Sequence, residues 1–325
     1  MKTGDIEVTP LASESIGVRS MCTLVKTPDI VVLLDPSAAL AMRFQLEPHP
    51  SEYRELMRRL ERIFVAARSA DVISISHYHH DHVRPGFTDF RYLFSSKEEL
   101  LRMVEGKTVL AKDNREHINP SQRRRGFYFE RDVAETAESV HWADNQEFHY
   151  GGTSVKYSPP LPHGRDGSPL GFVLATIITH GDNTVLFAPD VQGPASRTTL
   201  EYLKSIPADV AIVGGPPLYL DTFTPDERRQ AQESLLQLSK AFPVLVVDHH
   251  LARIATYNEW LSPVVDTGHS VDHEVLTMAE LAGEPRRFLE AARRQNYDTD
   301  PPSQEFVEWA SSSDEFKSAN KPPGV

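Results

Sequence analysis

Residues Ser74-Ile75-Ser76-His77-Tyr78-His79-His80-Asp81-His82 place four candidate metal ligands, in the spacing His-x-His-x-Asp-His, within six positions of the chain. They follow the apolar, β-branched run Val72–Ser76, which predicts a strand buried on both faces. A loop that leaves such a strand can aim several imidazoles and a carboxylate at one point. These groups are ligands of Zn²⁺, Fe and Mn²⁺. The alternative, a solvated His-rich turn, does not account for a spacing this specific.

Composition sets limits on the class of protein. At 325 residues the chain exceeds the usual ~100–200 residues per domain, although large α/β sandwiches reach that length as one unit. The net charge of −12 argues against general attraction to nucleic acid, but it leaves room for a local basic groove. Cys22 is the only cysteine, so neither an intramolecular disulfide nor a thiolate metal cage is expected.

Targeting signals are not evident in the sequence. Residues 1–9 include acidic side chains and no apolar core, unlike a secretory signal. No run approaches the ~20 apolar residues of a membrane span. We therefore expect a soluble cytoplasmic protein. Its oligomeric state is not indicated by the sequence.

Further strands and helices follow from local patterns. Apolar runs predict buried strands at Ile30–Leu34, Val210–Val213 and Val244–Asp248. Helices are expected over 52–67, from Ser96 and from Thr224, where capping patterns occur, with Ser51 capping the first of them. Gly151-Gly152 and Gly181-Asp182-Asn183 predict turns between short strands. Together these patterns predict one α/β domain over residues 1–297, an insertion at about 87–133, and a loose tail over 298–325.

Three later strand ends carry further candidate ligands. They are His163 in Pro162-His163-Gly164, Asp190 after Val185–Ala188, and the pair His249-His250 after Val244–Asp248. Each is weak evidence alone, because a strand-end Asp is often a turn former. Their order after the first motif is more informative.

That order resembles the metallo-β-lactamase superfamily of metallohydrolases, from about Ile30 to His250. Other segments are similar to an uncharacterised, largely archaeal branch of it: Ile118-Asn119-Pro120-Ser121-Gln122, Asp190-Val191-Gln192-Gly193-Pro194, Gly214-Gly215-Pro216-Pro217 and Asp248-His249-His250. The resemblance implies a four-layer αββα sandwich with the metals at one edge, between two sheets.

The resemblance also implies two metal sites. The first ion would be held by His77, His79 and His163, the second by Asp81, His82 and His249, with Asp190 bridging them. His249 is preferred to His250 because it stands four residues before Arg253, a spacing similar to that of some nuclease members. His250 then becomes a supporting partner or a proton donor, and His80 is expected to point away.

Such a site would hold two divalent ions, with Zn²⁺ as the first expectation and Mn or Fe as alternatives. Two ions ~3.5–4 Å apart can share a hydroxide at neutral pH. Asp81 would orient this hydroxide and accept the proton that the bound water releases when it forms. The site suits hydrolysis of a phosphodiester, ester, thioester, lactone or amide, and we favour a phosphodiester or nucleic acid. Two alternatives are a mono-iron dioxygenase acting on a small thiol-derived substrate and a non-catalytic scaffold.

Two single residues and one segment are candidates for substrate binding. Tyr78 could face substrate or pack in the core, and Arg253 could contact an anion or begin a helix. Residues 107–131 combine several cations with Phe127, Tyr128 and Phe129. This combination suits phosphates and bases of single-stranded nucleic acid. A solvated basic stretch with a short apolar segment packed inward is the alternative.

Overall fold

The computed structural model describes residues 1–325, and its first half forms a seven-stranded mixed sheet. The strands, in chain order and in sheet order, are β1 (Lys2–Thr3), β2 (Ile6–Pro10), β3 (Thr23–Lys26), β4 (Val31–Leu34), β5 (Val72–Ile75), β6 (Thr108–Ala111) and β7 (Ser139–Trp142). Pairing is antiparallel from β1 to β4 and parallel from β4 to β7.

A second seven-stranded sheet and a two-stranded ribbon follow. Their strands are β8 (Glu147–Tyr150), β9 (Thr153–Tyr157), β10 (Leu161–Pro162), β11 (Phe172–Val173), β12 (Thr176–His180), β13 (Asn183–Ala188), β14 (Val210–Gly214), β15 (Val244–Asp248) and β16 (Glu274–Leu276). The sheet order is β16-β15-β14-β13-β12-β9-β8, and β10 pairs with β11. Strands β13 to β16 are parallel, and the others are antiparallel.

Ten helices connect or cover the strands. They are α1 (Pro50–Ser69), α2 (Lys97–Val104), α3 (Pro120–Val133), α4 (Arg197–Lys204), α5 (Pro225–Ala241), α6 (Tyr257–His269), α7 (Met278–Ala282), α8 (Arg293–Thr299), α9 (Gln304–Ala310) and α10 (Asp314–Ala319). The predicted caps of α2 and α5 are confirmed at Ser96 and Thr224. At α1 the cap is His49, not Ser51, because Pro50 already lies in the first turn.

Three apolar clusters define a four-layer αββα sandwich. The first cluster packs α1, α2 and α3 on one sheet, and the second packs α4, α5 and α6 on the other. The third cluster contains residues of both sheets and lies between them. Adjacent strand residues alternate between layers: Leu33 faces the helices and Leu34 the opposite sheet. The prediction of an αββα sandwich is therefore confirmed.

The segment 87–133 contains α2, β6 and α3. It is attached to the first sheet because β6 pairs with both β5 and β7. The two predicted turns are also confirmed, since Gly151-Gly152 joins β8 to β9 and Gly181-Asp182 joins β12 to β13.

The tail over 298–325 differs from its prediction, because it packs on the domain. Phe306 and Trp309 of α9 are buried against Tyr53, and Lys317 of α10 pairs with Glu47 at 2.9 Å. Two aromatic side chains placed in the first cluster stabilise the position of both terminal helices. None of the helices has both the length and the apolar character needed to cross a bilayer.

Candidate metal centre

The candidate ligands all lie just beyond strand ends at one edge of the sandwich. The first motif follows β5, His163 follows β10, Asp190 follows β13, and His249 follows β15. Because β13, β14 and β15 are parallel and in register, their carboxyl ends meet at the same edge. Four elements that are distant in sequence thus deliver side chains to one point.

Backbone geometry at these strand ends is unusual. Asp35, Asp190 and His249 have positive φ values of 45°, 50° and 68°, which non-glycine residues rarely adopt. Such conformations cost free energy and persist where the surrounding structure holds them. Gly214 contributes differently: a Cβ there would lie 2.5 Å from the Asp190 nitrogen. The Gly214-Gly215 segment therefore has a structural role, since it lets β14 approach the Asp190 loop.

Asp190 is the centre of the cluster. Its carboxylate is 1% exposed and is surrounded by six imidazoles. The distances to its oxygens are 3.0 Å from His77 Nε2, 3.1 Å from His163 Nε2, 2.9 Å from His249 Nε2, 2.8 Å from His250 Nε2, 3.4 Å from His82 Nε2 and 3.5 Å from His79 Nδ1.

The ligand atoms fall into groups that match the two predicted sets. One atom each from His77, His79, His163 and Asp190 lie within 4.8 Å of one another. The same limit holds for Asp81, His82 and His249, and for Asp190 with His249 and His250. The structure therefore brings all seven predicted ligands together.

Hydrogen bonds on the far side of three imidazoles orient them. His82 Nδ1 donates to Asp35 at 2.8 Å, and His249 Nδ1 donates to Glu14 at 3.0 Å. His77 Nδ1 donates to Ser76 Oγ at 2.9 Å, because that hydroxyl already donates to Asp35 at 2.6 Å. When the outer nitrogen of a neutral imidazole carries the proton, the inner nitrogen presents a lone pair.

The inner nitrogens of these imidazoles point their lone pairs at one another and at the Asp190 carboxylate. Such an arrangement is stabilised only when a positive charge lies between them. The Nε2 atoms of His82 and His249 are only 3.3 Å apart, and His77 Nε2 and Asp190 Oδ1 are buried without a hydrogen-bond partner. Imidazole nitrogen and carboxylate oxygen are the donors that Zn²⁺, Mn²⁺ and Fe take. The residues present therefore fit a divalent metal centre.

The pKa values of two histidines of the cluster are raised by the negative charges around them. Burial alone would lower the pKa of His249, but Glu14 and Asp190 raise it to about 9. The pKa of His82 is raised well above its ordinary value, because bonds to Asp190 and Asp35 outweigh burial. His249 and His82 thus bind protons strongly in the absence of metal, and a metal ion would displace these protons. Burial instead lowers the pKa of His77 and of His79.

His249 and His250 occupy different environments. The Tyr219 hydroxyl accepts from Arg253 at 2.8 Å and lies 3.2 Å from His250 Nδ1. The Tyr219 hydroxyl can therefore donate its own proton to His250 Nδ1. The single N–H of the neutral His250 ring is then on Nε2, on the side of Asp190. Burial and Arg253 also lower the pKa of His250 to about 3. His250 is thus neutral with its proton on Nε2, whereas His249 presents a lone pair when its outer nitrogen is protonated.

Asp81 lies at the boundary between the cluster and the solvent. Its side chain is 18% exposed and lies 3.9 Å from His249 Nε2 and 3.6 Å from Arg253. Burial alone would raise the pKa of Asp81, but His82 and His249 hold it well below its usual range. The carboxylate is therefore ionised at neutral pH.

The other predicted residues lie farther from the cluster. Tyr78 is fully buried, packs on Phe129 and donates to the Lys112 carbonyl, which favours the packing role. Arg253 is 2% exposed and pairs with Glu14, so its charge is largely neutralised. His80 packs against Phe87 beside a neighbouring cavity, away from Asp190.

Two supporting residues were not predicted. Asp35 follows β4 directly, so the strand-end argument applied to the other candidates could have found it. Glu14 belongs to a short 3₁₀ helix (Glu14–Ile16) between β2 and β3, where no sequence pattern marks it. It binds both His249 and Arg253, which lie more than 230 positions away.

The sequence is similar to archaeal proteins along most of its length. It is 38% identical to UPF0282 protein MK0213 of Methanopyrus kandleri over 291 residues, covering 89% of this chain and 98% of that protein. It is 36% identical to UPF0282 protein PH1002 of Pyrococcus horikoshii, covering 89% and 92%. No protein-family model matches the sequence.

Solved structures are similar to this chain at low sequence identity. CmlA from Streptomyces venezuelae, a diiron beta-hydroxylase, is 15% identical with a TM-score of 0.51, over 88% of this chain and 54% of that one. A metallo-β-lactamase from Hirschia baltica is 13% identical with a TM-score of 0.33, over 82% of this chain and 96% of that one.

Proposed function

The chain belongs to the UPF0282 family and has the metallo-β-lactamase fold, and on that premise we propose that it is a binuclear metal-dependent hydrolase. The observation that carries the proposal is the set of inward imidazole lone pairs around the buried Asp190 carboxylate. Such a donor set has no evident purpose in a folded protein other than to bind cations.

The proposed ligands divide into two sets. His77, His79 and His163 would hold one ion, Asp81, His82 and His249 would hold the other, and Asp190 would be shared. Two bound divalent ions, with Zn²⁺ first and Mn²⁺ or Fe as alternatives, would lower the pKa of a water and stabilise negative charge that develops on the substrate. Asp35, Glu14 and Ser76 would fix the orientation of the imidazoles.

Two side chains of the centre are suited to act on the attacking water and on the substrate. Asp81 is ionised and partly exposed, so its carboxylate can accept the proton of the attacking water. His250 carries its proton on Nε2 and is 13% exposed, so its neutral ring can donate a hydrogen bond to a substrate oxygen on which negative charge develops. His82 and His249, with a smaller contribution from Arg253, keep the Asp81 carboxylate ionised.

A phosphodiester is the preferred substrate class. Arg125 lies near Asp81 and is not paired with a carboxylate, so the surroundings of the centre favour an anionic substrate over a neutral ester, thioester or lactone. Phosphate oxygens also suit arginine, which forms charge-assisted hydrogen bonds with them.

Metal content and activity test this proposal together. Mass spectrometry on protein purified without added metal or chelator should find about two equivalents of Zn, Mn or Fe per chain. The loaded protein should hydrolyse bis(p-nitrophenyl) phosphate faster than p-nitrophenyl acetate. One equivalent of iron, with no hydrolysis of either ester, would contradict the proposal and favour the dioxygenase alternative.

A further inference from the structure

Helix α3 presents unpaired positive charge. Arg123, Arg124 and Arg125 are consecutive, and none of them forms an ion pair, whereas the nearby Arg115 and Arg131 pair with carboxylates. Arg125 is partly buried, with a single hydrogen bond to the Tyr78 carbonyl at 3.3 Å. A partly desolvated guanidinium that forms no ion pair is costly to maintain, even with the Asp81 carboxylate nearby. In a chain of net charge −12, its retention here indicates an anionic ligand.

The same helix exposes two large aromatic rings. Phe127 is 57% exposed and Tyr128 is 48% exposed, with their ring centroids 5.6 Å apart. Neither ring is needed to cover the core, since Phe129 and Val133 of α3 already do so. Arg131 lies over one face of Tyr128, 4.8 Å from the ring centroid. The remaining aromatic faces, which lie beside the unpaired arginines, provide surfaces on which nucleic-acid bases stack.

Two cavities lie side by side along this helix. One, of about 470 Å³, lies between α3 and the loop after the first motif and includes Phe87, Arg125 and Tyr128 in its walls. The other, of about 440 Å³, includes Ile118, Arg123 and Phe127. Arg124 and Tyr128 border both. Each volume suits a ligand of about nucleotide size, and together they make a path longer than one nucleotide.

The first cavity adjoins the metal centre. His80, which immediately precedes Asp81, lines it. Besides burial, the positive charge of Arg125 lowers the pKa of His80, and the Asp81 carboxylate raises the pKa of Arg125 against the effect of burial. A phosphate bound by Arg125 would therefore lie near Asp81, the proposed proton acceptor.

We propose that α3 is a binding surface for single-stranded nucleic acid, with Arg123, Arg124 and Arg125 on phosphates and Phe127 and Tyr128 stacked on bases. The surface would direct one phosphodiester toward the metal centre, and that last step rests on the proposed function. Base stacking requires unpaired bases, so a single strand fits this helix better than a duplex. Because arginines that neutralise phosphates release counterions, binding should be sensitive to salt.

Fluorescence anisotropy with a labelled hexauridylate tests the binding surface directly. The full-length protein is held in EDTA at ~50 mM salt, so no metal-dependent cleavage contributes. The double variant R123A/R124A should bind at least about tenfold more weakly, and its slope of log K against log [salt] should be shallower by about 1.4, because two phosphate contacts are lost. The matched control R54A/R68A removes two exposed arginines of α1 that also lack ion pairs, and it should retain nearly full affinity.

A second pair of variants separates stacking from charge. F127L and Y128L should each weaken binding by about fivefold or more, with the salt slope unchanged. Equal losses in R123A/R124A and R54A/R68A, failure of the wild type to bind, or equal affinity for a duplex of the same length would each overturn the proposal. So would displacement of the probe by uridine monophosphate as effectively as by unlabelled hexauridylate. Hydrolysis of bis(p-nitrophenyl) phosphate reports on the metal centre separately, so failure of one proposal is distinguishable from failure of the other.

Discussion

At the scale of single residues, the centre depends on which nitrogen of each imidazole faces Asp190. Asp35 and Glu14 hold the outer nitrogens of His82 and His249, so the inner nitrogens are left for a cation. His250 is held the opposite way by Tyr219. Two adjacent histidines with the same side chain therefore acquire different chemistry from their hydrogen-bond partners.

Replacing Asp81 with Ala should remove the proton acceptor while the fold is retained. We expect turnover to fall by about 10²- to 10⁴-fold and the melting temperature to change little, because Asp81 is partly exposed at the edge of the cluster. Asp182→Ala, in the turn between β12 and β13, serves as the control. Full activity in the Asp81 variant would refute the proposed role.

Replacing Glu14 with Gln should weaken metal binding. The amide retains the shape of Glu14 but loses the charge that orients His249 and Arg253, so we expect about 10- to 100-fold lower affinity. Competition with a chelator measures it. Glu284→Gln removes a carboxylate that pairs with Arg59 and Arg62, and should leave metal affinity unchanged. An unchanged affinity in both variants would contradict the positioning role of Glu14.

At the scale of secondary-structure elements, local sequence patterns predicted most of the strands that carry the centre. Apolar runs identified β4, β5, β14 and β15, because strands of parallel sheets are buried on both faces. The region of α3 resisted prediction. The arginine run and the other polar residues of α3 obscure the helical pattern in the sequence. The buried face of the helix consists of only four residues, Gln122, Gly126, Phe129 and Val133, and it is recognised only from their packing in the tertiary structure.

The last helices offer a test of packing at this scale. Trp309→Ala in α9 should destabilise the protein by about 3–5 kcal/mol, because a ring that packs against Tyr53 is removed from the core. Val307, in the same helix, is 45% exposed, so Val307→Ala should lower the free energy of unfolding by less than about 0.5 kcal/mol. Urea unfolding measures the free energy of unfolding of both variants. Equal decreases in the two variants would contradict the burial of Trp309 in the core.

At the scale of the whole molecule, buried ion pairs join distant parts of the chain. Glu290 pairs with Arg19 at 2.6 Å, and Arg293 pairs with Glu52 at 2.8 Å. These contacts hold the C-terminal third against the N-terminal sheet and α1. Removal of one partner from such a pair leaves an uncompensated buried charge, which is strongly destabilising.

Stability should decrease in acid partly through Glu290. Burial alone would raise its pKa, but Arg19 and neighbouring arginines lower it to about 2 from the ordinary 4.5. Because the folded state depresses this pKa, the contribution of up to about 3 kcal/mol is complete above pH 4.5 and is lost as the pH falls toward 2. In metal-free protein, the free energy of unfolding should decrease less steeply over this range in Glu290→Gln than in the wild type. Identical slopes would contradict this linkage.

The sequence by itself determined the strand ends and the types of ligand that follow them, because apolar runs and His-x-His-x-Asp-His are local patterns. It did not identify Glu14, which lies 235 positions from His249, or the opposed orientations of His249 and His250. Nor did it show that the C-terminal tail is packed. Hydrogen-bond partners and burial depend on which distant segments the fold brings together, and only the tertiary structure decides that.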